Sequence, residues 1–227
     1  MPQARVGLAR VALASNQYMD GLGYLGENVE NFGVHRNEAL LLKGQLSASI
    51  GRYEVALGLF DRVLAADSNN LSGALARARV MLMLGRNAAA SQALQQLISL
   101  HGDQPQALFL RSMLALEQER YFDASMDAEQ VLLLVPNHYP SVYIAGAAYV
   151  NLDNVEQAVS RLARYLSKFP EADHARLLLA AAHQRAANSQ AVIRVLKPLL
   201  DGERDDDRGG NAAVLALAGM AYFQLGH

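Results

Sequence analysis

Residues Tyr139 to Ala172 read YPSVYIAGAAYVNLDNVEQAVSRLARYLSKFPEA: two apolar-periodic segments parted by the polar pair Asp153-Asn154 and closed by Pro170. In the first segment Val142, Ala145, Gly146 and Tyr149 recur at spacings of three and four, which places them on one face of a helix. Ala158, Leu162, Tyr165 and Leu166 do the same in the second. Pro140 suits a first helical turn, where its missing N–H has no partner to lose. Asn154, with Gln157 three residues on, reads as a capping arrangement that opens the second helix. The stretch predicts a helix–turn–helix hairpin of 34 residues.

That hairpin recurs along the chain. The position of Gly146 is held in the other units by Ala9, Gly44, Ala78, Ser112, Ala180 and Gly219, all small residues. Ala158 is preceded by Gly21, Ala56, Ala90 and Ala124 and followed by the larger Val192. Leu162 corresponds to Leu25, Phe60, Leu94, Ala128 and Leu196. Small residues are needed where helix backbones come closest, and bulky ones fill the holes beside them. The repeats fall at about 2–35, 37–70, 71–104, 105–138, 139–172 and 173–206, with a partial unit at 212–227.

The period, the small columns, Tyr149 late in the first helix and Pro136 or Pro170 at the repeat end resemble the tetratricopeptide repeat (TPR) family. Val142 stands where the family has an aromatic residue, and Arg77 and Arg111 stand where Leu is usual. The resemblance implies an all-α fold, a right-handed α-solenoid of about six and a half repeats forming one domain.

Composition excludes several functions. A formal net charge of −2 gives no basic face for nucleic acid, and no apolar run approaches a membrane span. The arginines and apolar residues of MPQARVGLARVALASNQ mimic a signal peptide, but their period fits the first helix of repeat one. There is no cysteine, hence no thiolate chemistry. GLGYLG, from Gly21 to Gly26, matches a dinucleotide-binding fingerprint in letters only, because its glycines fall inside a helix that follows another helix. They predict a weak second helix in repeat one. Pro198 is expected to kink or end its helix. None of the histidines at 35, 101, 138, 174, 183 and 227 pairs with another at helical spacing, and His183 takes the column of Tyr149 as a packing residue. Asp205, Asp206 and Asp207 read as a solvated loop, since no calcium-loop spacing surrounds them. No catalytic motif, metal site or cofactor site is recognisable, and the chain is expected not to be an enzyme. Its last unit is a first helix alone, with Leu215, Tyr222 and Leu225 on an uncovered face, which predicts a fragment of a longer repeat protein that self-associates there.

Two sets of residues are candidates for binding. In a TPR-like superhelix, the concave positions are one residue after the Val142 column and four further on. These are Val6 and Arg10, Leu41 and Gln45, Leu75 and Arg79, Phe109 and Met113, Tyr143 and Ala147, then Leu177 and Ala181. They describe an apolar groove with a central aromatic pair, suited to an amphipathic helix or an extended apolar segment of a protein partner. The Lys and Asn pattern of carboxylate-clamp TPRs is missing. The second set is Lys43, Arg77 and Arg111, one column in three successive repeats. Read functionally they form an anion stripe for a carboxylate-bearing polymer or an acidic peptide. Read structurally, their stems pack between helices and their heads pair with acids such as Asp61, Asp127 or Glu129; the column's inward position favours this.

The downstream half carries a narrower resemblance. The runs QALFLRSMLALEQERYFDASMDAEQVLLLVPNHYPSVYIAGAAYVNL, EQAVSRLARYLSKFPEADHARLLLAAAHQR and VLKPLL, between Gln106 and Leu200, are similar to the TPR lipoproteins of bacterial PEP-CTERM/exosortase systems. This implies a scaffold in exopolysaccharide export or surface-protein sorting, located in the periplasm or cell envelope, with any lipid anchor outside this sequence. The alternative is a periplasmic TPR scaffold of a cellulose- or alginate-type secretion machine that touches the polysaccharide.

Overall fold

A computed structural model describes residues 1–201 and 210–226; the Asp205–Asp207 run and His227 lie outside the described residues. The chain forms two compact units, Met1–Leu110 and Arg111–His227. Among the described residues every regular element is a helix. They are α1 (Pro2–Ala14), α2 (Tyr18–Leu25), a 3-10 helix (Glu30–His35), α3 (Arg36–Ser49), α4 (Tyr53–Ala66), α5 (Leu71–Met83), α6 (Asn87–His101) and α7 (Pro105–Glu117). There follow α8 (Tyr121–Leu134), α9 (Tyr139–Asn151), α10 (Val155–Lys168), α11 (Asp173–Arg185), α12 (Ser189–Leu200) and α13 (Gly210–Leu225).

Hairpins form because small and large residues meet sixteen positions apart. Gly44 on α3 lies under Phe60 of α4, so close that an added Cβ would come within 3.0 Å of three ring atoms. Gly146 on α9 lies likewise under Leu162 of α10. Where the first helix carries Ala, the facing residue is Leu: Ala9 with Leu25, Ala78 with Leu94, and Ala180 with Leu196, all fully buried. Ser112 is matched by the smaller Ala128, both at 0% exposure. One side shrinks as the other grows, which holds the helices at packing distance. Ala56, Ala90, Ala124, Ala158 and Val192 complete the seam at 0% exposure.

Each turn between paired helices has the same elbow. Asn16, Gly51, Gly85, Glu119, Asp153 and Ala187 take positive φ, between 53° and 77°. In every case the next residue donates its N–H to the carbonyl five positions back: Gln17 to Ala12, Arg52 to Ser47, Arg86 to Met81, Arg120 to Ala115, Asn154 to Tyr149 and Asn188 to His183. This is the Schellman closure of a helix C-terminus. Side-chain caps open α5, α10 and α12, with Asn70, Asn154 and Asn188 accepting from the backbone N–H groups of Gly73, Gln157 and Ala191.

Two places depart from the sequence pattern. The second helix of repeat one is only eight residues long and stops at Gly26, with φ at 71°; the 3-10 helix then fills the space before α3. Arg5 ties this end down, donating to the Tyr24 and Leu25 carbonyls and lying 5.0 Å over the Phe32 ring. Pro198 does not end α12, which runs on to Leu200. Its fixed φ is helical, and so near the C-terminus only one backbone hydrogen bond is forfeited.

Candidate functional site

In the first unit, the inner faces of α1, α3 and α5 and the start of α4 enclose a pocket of about 510 Å³. Gln45, Leu75 and Arg79, three of the groove residues read from the repeat register, line it. Leu41 sits half-buried against the adjoining core rather than on the wall. Leu13, Tyr53, Phe60, Val80 and Met83 supply the rest of the apolar surface. Arg79 is exposed and, among the described residues, its guanidinium has no hydrogen bond or ion pair. The Gln45 amide and Tyr53 hydroxyl are equally without partners there. The unit's other cations are mostly engaged. Arg10 pairs with Glu38, Arg36 and Arg62 with Glu30, Arg77 with Asp61, and Arg86 with Glu54. The arrangement is an apolar floor with an uncommitted cation and amide at its rim. Such a site can hold an apolar side chain while accepting a carboxylate or backbone carbonyl beside it.

Spacing alone reaches part of this wall. Continuing four residues beyond Gln45 and Arg79 finds Ser49 and Met83, both pocket-lining. Tyr53 belongs to the start of a second helix, a place the groove columns do not sample. Val6, from the first repeat's column, is buried at 3% exposure and so belongs to the core. Phe109 is half-buried in the first unit, against the same core cluster as Leu75.

In the second unit, Met113, Leu177 and Ala181 are half-buried, whereas Ala147 is only 5% exposed and lies beneath the surface. Tyr143 is half-buried in an aromatic cluster, with ring centroids 5.3 Å from Tyr165 and 5.1 Å from His174. Burial raises the pKa of its phenol, and Tyr165 adds to the effect. His183 is half-buried; burial and then Arg194 hold its pKa below the ordinary 6.5.

The cation column is placed in detail. Lys43 donates its ammonium to the Gly26 and Glu27 carbonyls at 2.7 and 2.5 Å. Burial pulls its pKa down, with the Glu27 charge opposing. Arg77 meets Asp61 at 2.6 Å, and Arg111 grips both oxygens of Asp127 at 2.6 and 2.7 Å. Glu129 is taken instead by Arg161, through two bonds of 2.7 and 2.8 Å. Among the described residues no group of three or more His, Cys, Asp or Glu could hold a metal, and no helix is long and apolar enough to cross a membrane.

Comparison with known proteins agrees with this architecture. Two tetratricopeptide repeat family models match the sequence, one over residues 6–70 and the other over residues 50–114. No curated protein matches it significantly. A solved tetratricopeptide repeat protein from Parabacteroides merdae superposes with a TM-score of 0.69 at 13% identity, covering 99% of this chain and 86% of its own. MamA from Desulfovibrio magneticus RS-1 superposes with a TM-score of 0.67 at 17% identity, over 76% of this chain and 97% of its own. At such identities the likeness is one of fold. The matched repeats and the shared all-α architecture together support the tetratricopeptide repeat family for this chain.

Proposed function

We propose that the chain is a non-enzymatic scaffold whose inner helix faces hold a protein partner. The observation that carries this reading is the pocket of the first unit, where the exposed Arg79 and the half-buried Gln45 have no side-chain partner among the described residues, above an apolar floor. The partner segment that fits is apolar with an acidic residue beside its anchor. In the second unit Met113, Tyr143 and Leu177 extend the same reading, which takes residues 1–227 as one solenoid. The resemblance between Gln106 and Leu200 supports a finer role in bacterial exopolysaccharide export or PEP-CTERM surface-protein sorting, in the periplasm or cell envelope. A polymer-binding role would draw on Lys43, Arg77 and Arg111. Their heads are already engaged within the protein, which favours a protein partner over a polysaccharide.

Selection of randomised peptides against the full 227-residue protein tests the pocket. Enriched peptides should combine large apolar residues with Asp or Glu. Arg79→Ala should weaken them about tenfold, the loss of one charge-assisted hydrogen bond. Added salt should weaken the wild type more than the variant. Circular dichroism controls for folding. Selected peptides that bind Arg79→Ala as well as wild type would move the site off this pocket.

A further inference from the structure

Repeat five, in the second unit, carries aromatic residues in columns that are mostly aliphatic or polar elsewhere. Tyr165 holds a column occupied in other repeats by Val63, Leu97, Val131 and Leu199, the first three of which are buried at 3% exposure or less. A tyrosine overfills that seat, so its ring emerges half-buried beside the core. Tyr139 stands where Asn37, Leu71, Pro105 and Asp173 stand, and Phe169 where Asp67, His101 and Val135 stand. The solenoid does not need these rings. They form one row, His174, Tyr143, Tyr165, Phe169 and Tyr139, with successive centroids 5.1, 5.3, 5.0 and 5.6 Å apart. Phe169 and His174 are exposed and the three tyrosines are half-buried. Among the described residues, the hydroxyls of Tyr139, Tyr143 and Tyr165 and the His174 imidazole have no hydrogen bond. Tyr149 of the same repeat differs, because its hydroxyl is bonded to Glu129. Glu171 and Asp173, next to His174 in sequence, are engaged within the chain. The row therefore offers aromatic faces and uncommitted phenol donors.

We propose that this aromatic row binds a proline-rich segment of a partner protein in the polyproline II conformation. The hydrogen-bonding needs of the two sides are complementary. Each proline keeps a carbonyl acceptor and has no N–H, so such a segment can only accept. The phenols supply the donors, and burial, by raising the pKa of Tyr143, keeps its proton in place. The pyrrolidine rings supply apolar faces that seat against tilted aromatic ones, the way proline-rich segments dock in aromatic-lined grooves. An α-helical partner would satisfy its carbonyls internally and leave the phenols unanswered. An extended strand would bring N–H groups to a row whose acid neighbours are already taken. At 3.1 Å per residue, about six residues run the length of the row. A proline-rich segment is extended before it docks, so little ordering is lost and a short contact suffices. The proposal rests on the chain's being a protein-binding scaffold, and not on the pocket of the first unit.

Fluorescence anisotropy of a labelled decaproline peptide with the full 227-residue protein is the test. Binding should saturate below about 1 mM, the range of weak short contacts, and neither a Gly-Ser decapeptide nor cellohexaose should compete. Tyr165→Leu gives repeat five the residue that Leu97 and Leu199 hold in the same column. It should therefore keep its circular dichroism while decaproline affinity falls at least about tenfold. Tyr139→Phe combined with Tyr143→Phe keeps both rings and should weaken binding at least about threefold through the missing donors. Arg79→Ala should bind decaproline as wild type does, although it weakens peptides selected on the first-unit pocket, so the two readings fail separately. The proposal is overturned if decaproline shows no saturable binding, if the Gly-Ser peptide binds equally, or if cellohexaose binds more tightly. It is equally overturned if Tyr165→Leu or the double variant binds as well as wild type, or if Arg79→Ala loses binding.

Discussion

Replacing Gly44 with Ala tests whether the small column is set by packing or merely by composition. In an exposed helix interior, Gly→Ala stabilises by about 1 kcal/mol, because Ala loses less backbone entropy on folding. At Gly44 the new methyl would press within 3.0 Å of three atoms of the Phe60 ring, which is itself only 1% exposed and has nowhere to turn. Overpacking of this kind costs about 1–3 kcal/mol, so Gly44→Ala should be net destabilising by about 1–2 kcal/mol. Gly58 on α4 is the control, since it is exposed and an added Cβ meets nothing within 4 Å. Gly58→Ala should therefore raise stability by up to about 1 kcal/mol. The protein also contains its own rescue, the Ala78–Leu94 pair, which fills the same seam with the bulk redistributed. Gly44→Ala combined with Phe60→Leu should accordingly recover at least about 1 kcal/mol relative to additivity. Urea midpoints at constant slope give the values for Gly44→Ala, Gly58→Ala, Phe60→Leu and the double variant, each against wild type. If Gly44→Ala stabilises as Gly58→Ala does, or the double variant shows no coupling, the seam is not close-packed and the argument from size exchange is wrong.

Two further outcomes follow from the charges. Arg111→Ala strands the Asp127 carboxylate, only 11% exposed as a side chain, and should cost about 2–3 kcal/mol. Arg86→Ala breaks the exposed pair with Glu54 and should cost under about 1 kcal/mol; equal losses in urea titrations would show that burial is not what separates them. Burial depresses the pKa of both His138 and His183 below 6.5, with Arg194 contributing at the latter. As pH falls through 6.5 the unfolded chain therefore takes up protons before the folded one does, and stability declines into the acid side. His183→Gln should flatten the profile of unfolding free energy between pH 7.5 and about 5.5, and a variant profile as steep as wild type would exclude His183 as a cause.

Most of the fold was legible because helical packing repeats its demands. One template, Tyr139 to Ala172, was enough to find the small residues and the bulky residues sixteen positions on. The end of α2 was less so: Gly23 and Gly26 signal a weak helix, yet the stop depends on the positive φ of Gly26, a backbone choice that no side chain dictates. The cation column shows another limit. Arg77 reaches back sixteen residues to Asp61, while Arg111 reaches forward sixteen to Asp127. The opposite directions hold Ala93 and Gln95, so the partners were readable, though only by asking each arginine separately. Tyr53 of the pocket was invisible to column logic, because the wall there combines a helix start with two helix faces from other hairpins.

The elbows have a consequence for how the molecule comes apart. All six left-handed residues are exposed, but they do not tolerate that backbone equally. Glycine is indifferent to it, Asn and Asp are eased by their short polar side chains, and Ala187 has no such relief. Its methyl costs roughly 1 kcal/mol at that φ, and in a repeat protein such a local deficit stays with the hairpin that carries it. Opening fluctuations should accordingly be graded from one hairpin to the next, with α11 and α12 parting more readily than the Gly51 and Gly85 hairpins. A single solvent-facing letter thus sets the breathing of one repeat while leaving the packed seam and the pocket wall unchanged.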